Sequence, residues 1–109
     1  MESRTLRVLL FEEHHKGWIA QCLEVDIAAQ GSSMKEAMRN FQEVFATQVA
    51  FDLSKGREPL AGKKQAPPWY WQALEEAEPL QNPIVLKLPR RSWLSFLKIP
   101  TTPAQAWVR

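Results

Sequence analysis

The groups able to do chemistry are few and scattered: one thiol, Cys22, two adjacent imidazoles, His14 and His15, and the carboxylates of Glu12, Glu13, Glu24 and Asp26. A zinc site needs nitrogen and sulfur ligands at short characteristic spacings, such as paired cysteines or histidines on one helical face. Adjacent histidines in a hairpin loop are expected to point apart, and Cys22 falls inside a strand, so no metal site is expected here. A nucleophilic Cys22 would require a nearby base and an electropositive setting that lowers its pKa. Nothing in the sequence specifies either. The four glycines, at 17, 31, 56 and 62, are too dispersed for a phosphate-cradling loop. Neither catalysis nor a cofactor is expected.

Binding is better provided for. Trp18, Trp69, Trp71, Trp93 and Trp107 are many tryptophans for 109 residues. Trp18 and one of the Trp69/Trp71 pair are expected in the core. Three consecutive aromatics, Trp69-Tyr70-Trp71, cannot share one helical face, so at least one packs on a loop or a partner, where tryptophan and tyrosine concentrate binding energy. Residues 1–56 carry six Lys/Arg against eight Asp/Glu, whereas from residue 79 onward no acid occurs and Lys87, Arg90, Arg91, Lys98 and Arg109 are all cationic. A basic aromatic end of this kind can stack on or steer toward nucleic acid; its plainer reading is a solvated tail.

The elements that must hold these groups follow from periodicity. Arg4 to Phe11 alternates, with Leu6, Val8 and Leu10 on one parity, and reads as a strand with one strongly apolar face. Residues 12–17 end in glycine and suit a hairpin, Trp18–Leu23 is a second strand, and Ile27–Gln30 a short third. Gly31 then turns the chain. Ser33 with Glu36 three residues later is a capping box, and Met34, Ala37, Met38, Phe41, Val44, Phe45 and Val49 form an apolar stripe of helical period. The spacing predicts a helix from about Ser33 to Leu53, ended by Lys55 and Gly56. Arg57–Pro68 reads as a proline-rich loop and Pro68–Ala77 as a short helix. Ile84–Leu88 reads as a fourth strand, and Arg90–Ile99 as a basic amphipathic turn or helix. The last ten positions read as irregular.

These elements describe an α+β domain: an antiparallel β-β-β-α(-β) sheet with one long helix on one face. The expected segments are a core at 1–56, a proline-rich connection with a short aromatic helix at 57–83, and a strand with a basic tail at 84–109. Hydrophobic residues make up 45% of the chain and charged residues 24%, which suits a globular protein. One cysteine excludes an internal disulfide and argues for a reducing compartment. The opening residues do not resemble a signal segment, so a cytoplasmic protein is expected.

The stretch from Gly17 to Ala37 resembles the HicB family. Cys22, Glu24, Asp26, Gln30, Gly31, Glu36 and Ala37 stand where that family has an aromatic-started strand, a Cys-Pro-Glu-Leu-Asp-like turn, a strand ending Gln-Gly and a capped helix opening Glu-Ala. Leu23 replaces the usual proline. The resemblance implies a partial ribonuclease H-like fold and a non-catalytic antitoxin that neutralises a small basic ribonuclease, HicA, by direct binding. An acidic N-terminal half suits such a partner, because complementary potential steers association. Glu12, Glu13, Glu24, Asp26, Trp69 and Trp71 are then the expected partner contacts, and a homodimer through open sheet edges or the C-terminal segment is expected.

Three other readings accompany this one. A nuclease would need carboxylates set to clamp one phosphate between two metal ions; Glu24 and Asp26 fit turn positions better. Many HicB-like proteins carry a C-terminal DNA-binding module, and Ile84 to Leu97 resembles the strand and first helix of a ribbon-helix-helix. Pro100 and Pro103 arrive too soon for its second helix, so a truncated DNA reader using Lys87, Arg90, Arg91 and Lys98 is the alternative. A stand-alone member without a toxin is a further one.

Overall fold

The run Val8-Leu9-Leu10-Phe11 is the centre of the molecule. A computed structural model describes residues 6–15, 17–60, 62–79, 84–86 and 102–108. Strand β1 (Leu6–Glu13) pairs antiparallel with β2 (Gly17–Cys22), and β2 with β3 (Ala28–Gly31), as the hairpin patterning predicts. On its other side β1 pairs in parallel with β6 (Thr102–Val108), placing Leu6 beside Ala104 and Leu10 beside Val108. Two short strands flank β6 in turn: β4 (Glu78–Pro79) against Trp107 and Val108, and β5 (Ile84–Leu86) against residues 102–104. The order is β3-β2-β1-β6-β4, a mixed sheet to which all three sequence segments contribute.

Two expectations change. The last residues are not irregular: Thr102–Val108 forms a strand in the body of the sheet. Ile84–Leu86 is a strand, but its partner is β6 and not the N-terminal ribbon. Leu88 and the segment Arg90–Ile99 lie outside the described residues.

Helix α1 (Met34–Ser54) is capped by Ser33, whose Oγ accepts the Glu36 N–H at 3.1 Å. The Glu36 carboxylate reaches back to the Ser32 N–H at 3.1 Å and the Ser32 hydroxyl at 3.0 Å, one residue earlier than a capping box would place it. The backbone bond from Ser32, then its hydroxyl, hold the Glu36 carboxyl below its ordinary value. Ala37, Met38, Phe41, Phe45 and Val49 are buried against Leu6, Val8, Leu10, Ala20 and Cys22. The stripe is narrower than predicted: Val44, one step around the helix from Phe45, is 43% exposed, and Met34 in the first turn is 37% exposed. At the other end, buried Asp52 accepts from Gln48 Nε2 at 3.0 Å and from the Leu60 N–H at 2.8 Å, with Arg57 Nη2 at 3.6 Å. These bonds fold the following loop back onto the helix end, and they satisfy a charge that would be costly to bury alone.

The second face of the sheet is also covered, contrary to the single-helix expectation. Helix α2 (Pro68–Glu75) begins at a proline suited to the first turn. It packs Ala73 against Leu9 and Leu23, with Phe11, Tyr70, Trp71, Leu74, Ala77 and Trp107 around them. Strand β1 is therefore buried on both sides, and Leu9 is as fully enclosed as Val8 and Leu10.

Candidate binding face

The turn after β2 positions α2. The Leu23 N–H still bonds the Arg7 carbonyl at 2.9 Å, and the Cys22 N–H bonds the Ile27 carbonyl at 2.9 Å, closing residues 23–26 into a tight excursion. The incoming segment is tied to it: the Asp26 N–H donates to the Lys64 carbonyl at 2.7 Å, and the Ala66 N–H to the Leu23 carbonyl at 3.0 Å. Pro67 and Pro68 follow at once, so the aromatics of α2 are delivered to the odd-numbered side of β1.

There the sequence-predicted residues separate into distinct roles. Glu24 is half-buried and engaged within the chain: its two carboxylate oxygens accept from the Arg7 N–H and from Arg7 Nε, each at 2.6 Å. The Arg7 guanidinium in turn lies 4.6 Å from the centroid of the Trp71 ring, a cation–π contact. Trp71 Nε1 donates to the Ala66 carbonyl at 3.2 Å. Trp71 is thus the inward member of the tryptophan pair and Glu24 a structural ion-pair partner. Trp18 packs beside the α1-side core, and Trp107 beside the α2-side core. Trp93, Lys87, Arg90, Arg91 and Lys98 lie outside the described residues.

Trp69 is the outward member, 50% exposed. It stacks on Tyr70 with ring centroids 3.5 Å apart, and Phe11 meets Trp69 edge-on at 6.4 Å and Tyr70 at 5.9 Å. Phe11 escaped sequence reasoning although it shares the parity of Leu9; the unbroken apolar run from Val8 was the signal for a strand covered on both sides. Glu13 lies on the same side of β1 as Phe11, and Asp26 stands exposed at the turn, its Oδ1 accepting from Gln21 Nε2 at 2.9 Å. Burial pushes the Tyr70 hydroxyl above its ordinary pKa, and the negative charges of Asp26 and Glu13 push it further. Glu13 and Asp26 therefore both act on Tyr70. Glu12 is opposite in parity, exposed beside Trp18 on the α1 side. The four acids do not make one patch.

The remaining chemical groups are placed as follows. The His14 and His15 rings lie together, centroids 3.8 Å apart, and do not point away from each other as adjacent hairpin residues were expected to. Among the described residues no group of three or more His, Cys, Asp or Glu is placed to hold a metal ion. Cys22 is fully buried, and burial is the main reason its thiol is pushed up to about 11 from an ordinary 9.0. The folded chain is therefore expected to resist thiol reagents at neutral pH, with modification tracking unfolding. The thiol's ordinary pKa lies below its folded one, so it stabilises the fold below pH 9.0, and that contribution is lost as pH rises toward about 11. Rapid labelling of native protein at neutral pH would contradict this placement.

Among the described residues no helix is long and apolar enough to cross a membrane. In comparison with known proteins, no family model, no curated protein and no solved structure matches the chain.

Proposed function

We propose that this chain is a HicB-like, non-catalytic binding module that neutralises a small basic ribonuclease by direct contact. The observation that carries the reading is the half-exposed Trp69 ring, stacked on the partly buried Tyr70 and met by Phe11, with Glu13 and Asp26 nearby. Large aromatic surface outside the core marks an interaction site, and its acidic flank suits a cationic partner. The hairpin, third strand, capped helix and further strand beside β1 support the partial ribonuclease H-like reading of the fold. Self-association belongs to the same reading, with β3, the strand at one end of the sheet, as its seam.

Co-expression with the small basic product of an adjacent reading frame tests the proposal. The expected result is a complex that survives gel filtration, in which the partner's RNA cleavage is suppressed. A partner that elutes alone and cleaves RNA undiminished in the presence of this chain would sink it.

A further inference from the structure

We infer that the corner formed by Phe11, Trp69 and Tyr70, with Glu13 and Asp26 beside it, seats an arginine side chain presented by a protein partner. The inference deepens the proposed function by naming what the aromatic face recognises, and it rests on that reading for the partner's basic character.

The chain itself contains the arrangement in finished form. The Arg7 guanidinium sits over the Trp71 ring, 4.6 Å from its centroid, while the Glu24 carboxylate takes its Nε, so one guanidinium is held by an aromatic ring and a carboxylate at once. Arg57 repeats it more loosely, 5.3 Å from the Phe51 ring centroid and with the Asp52 carboxylate 3.6 Å from its Nη2. The Trp69 corner offers the same components two residues along α2 from Trp71, with the difference that its indole faces outward.

Geometry favours a planar cation over a purely apolar group. Phe11 stands edge-on to Trp69 at an interplanar angle of 71°, and Tyr70 backs the indole in a 30° stack. The indole is thereby held as a rigid platform at little entropic cost to a binder. Indole is the best of the aromatic faces for a cation, and guanidinium is the cation most often found there, being planar and weakly hydrated. Charge completes the match: Asp26 is exposed at the turn, and both Asp26 and Glu13 impose negative potential on the neighbouring Tyr70.

The test uses the full chain and a fluorescein-labelled nona-arginine peptide, followed by anisotropy at low and high salt. Trp69→Ala is expected to weaken peptide binding about two- to fivefold, the worth of an exposed cation–π contact, while Trp69→Phe retains most of the affinity. Asp26→Asn should weaken binding at low salt and leave it unchanged at high salt, where exposed charges are screened. Phe51→Ala, on the opposite side of the sheet, should bind as the parent does. Thermal melts that coincide with the parent's exclude unfolding as the cause of a loss. Equal affinities for the parent and Trp69→Ala, no measurable peptide binding, or a Phe51→Ala loss as large as that of Trp69→Ala would each overturn the inference. Absence of a toxin complex, with the peptide result intact, would instead overturn the antitoxin reading and leave the arginine seat standing.

Discussion

Leu9→Ala is expected to destabilise the fold by about 2–5 kcal/mol, the cost of emptying a leucine-sized space in a core that collapses only partly. A one-sided sheet would make this a mild change, since Leu9 would then face water. Instead it is wholly enclosed between Leu23, Ala73 and the aromatics of α2. Because those aromatics carry the candidate binding face, the variant should also loosen the Trp69–Tyr70 platform. Urea unfolding with the midpoint as readout checks the claim. A midpoint equal to the parent's would show that α2 does not lie on the sheet.

Gly31→Ala is the second large effect, a loss of about 1–3 kcal/mol or more through overpacking. A methyl at this position would sit 2.4 Å from the Ala37 backbone nitrogen, 2.7 Å from the Glu36 carbonyl carbon and 2.9 Å from the Ala37 Cα. All three atoms belong to the first turns of α1, which cannot yield by rotating a side chain. The whole helix would have to lift away from β3. Gly31 does not have a positive φ, so the glycine serves close approach and not a left-handed turn. Were the helix farther off, alanine would be neutral or would stabilise by about 0.4–1 kcal/mol through the unfolded chain. A denaturation midpoint at or above the parent's is therefore the result that contradicts the packing.

These two residues show how far the sequence could be read. The hairpin, the Ser33 cap and the helix are local patterns, and their positions followed from alternation, from one hydroxyl and from a period of 3.6. Gly31 reads as a turn residue, whereas it is the last residue of β3 and lies against Ala37, a close approach that no local pattern encodes. Leu9 and Phe11 were legible in principle, since a strand with four apolar residues in succession wants cover on both sides. Strand β6 was not. Thr102 to Val108 contains Pro103 and small residues, the marks of an irregular segment, and only pairing with distant β1 and β5 makes it a strand. Glu24 misled for a similar reason. It reads as an exposed turn acid, yet its partner Arg7 stands 17 residues away, a separation that no local motif encodes. Of the candidate contacts, Glu12, Asp26 and Trp69 stand exposed, Glu12 on the α1 side; Glu13 is half-buried beside Tyr70, Trp71 and Glu24 are turned to internal use, and Phe11 joins the face unforeseen.

The parallel seam between β1 and β6 has a kinetic consequence. Leu6 and Ala104 are register partners although nearly the whole described chain lies between them. Closing so long a loop before any contact rewards it slows folding, in the way that high contact order does. During synthesis the hairpin and α1 can dock early, while one flank of β1 waits for residues still inside the ribosome. That unpaired strand edge, with its open N–H and C=O groups, is where a nascent chain would recruit chaperones or clump with its neighbours.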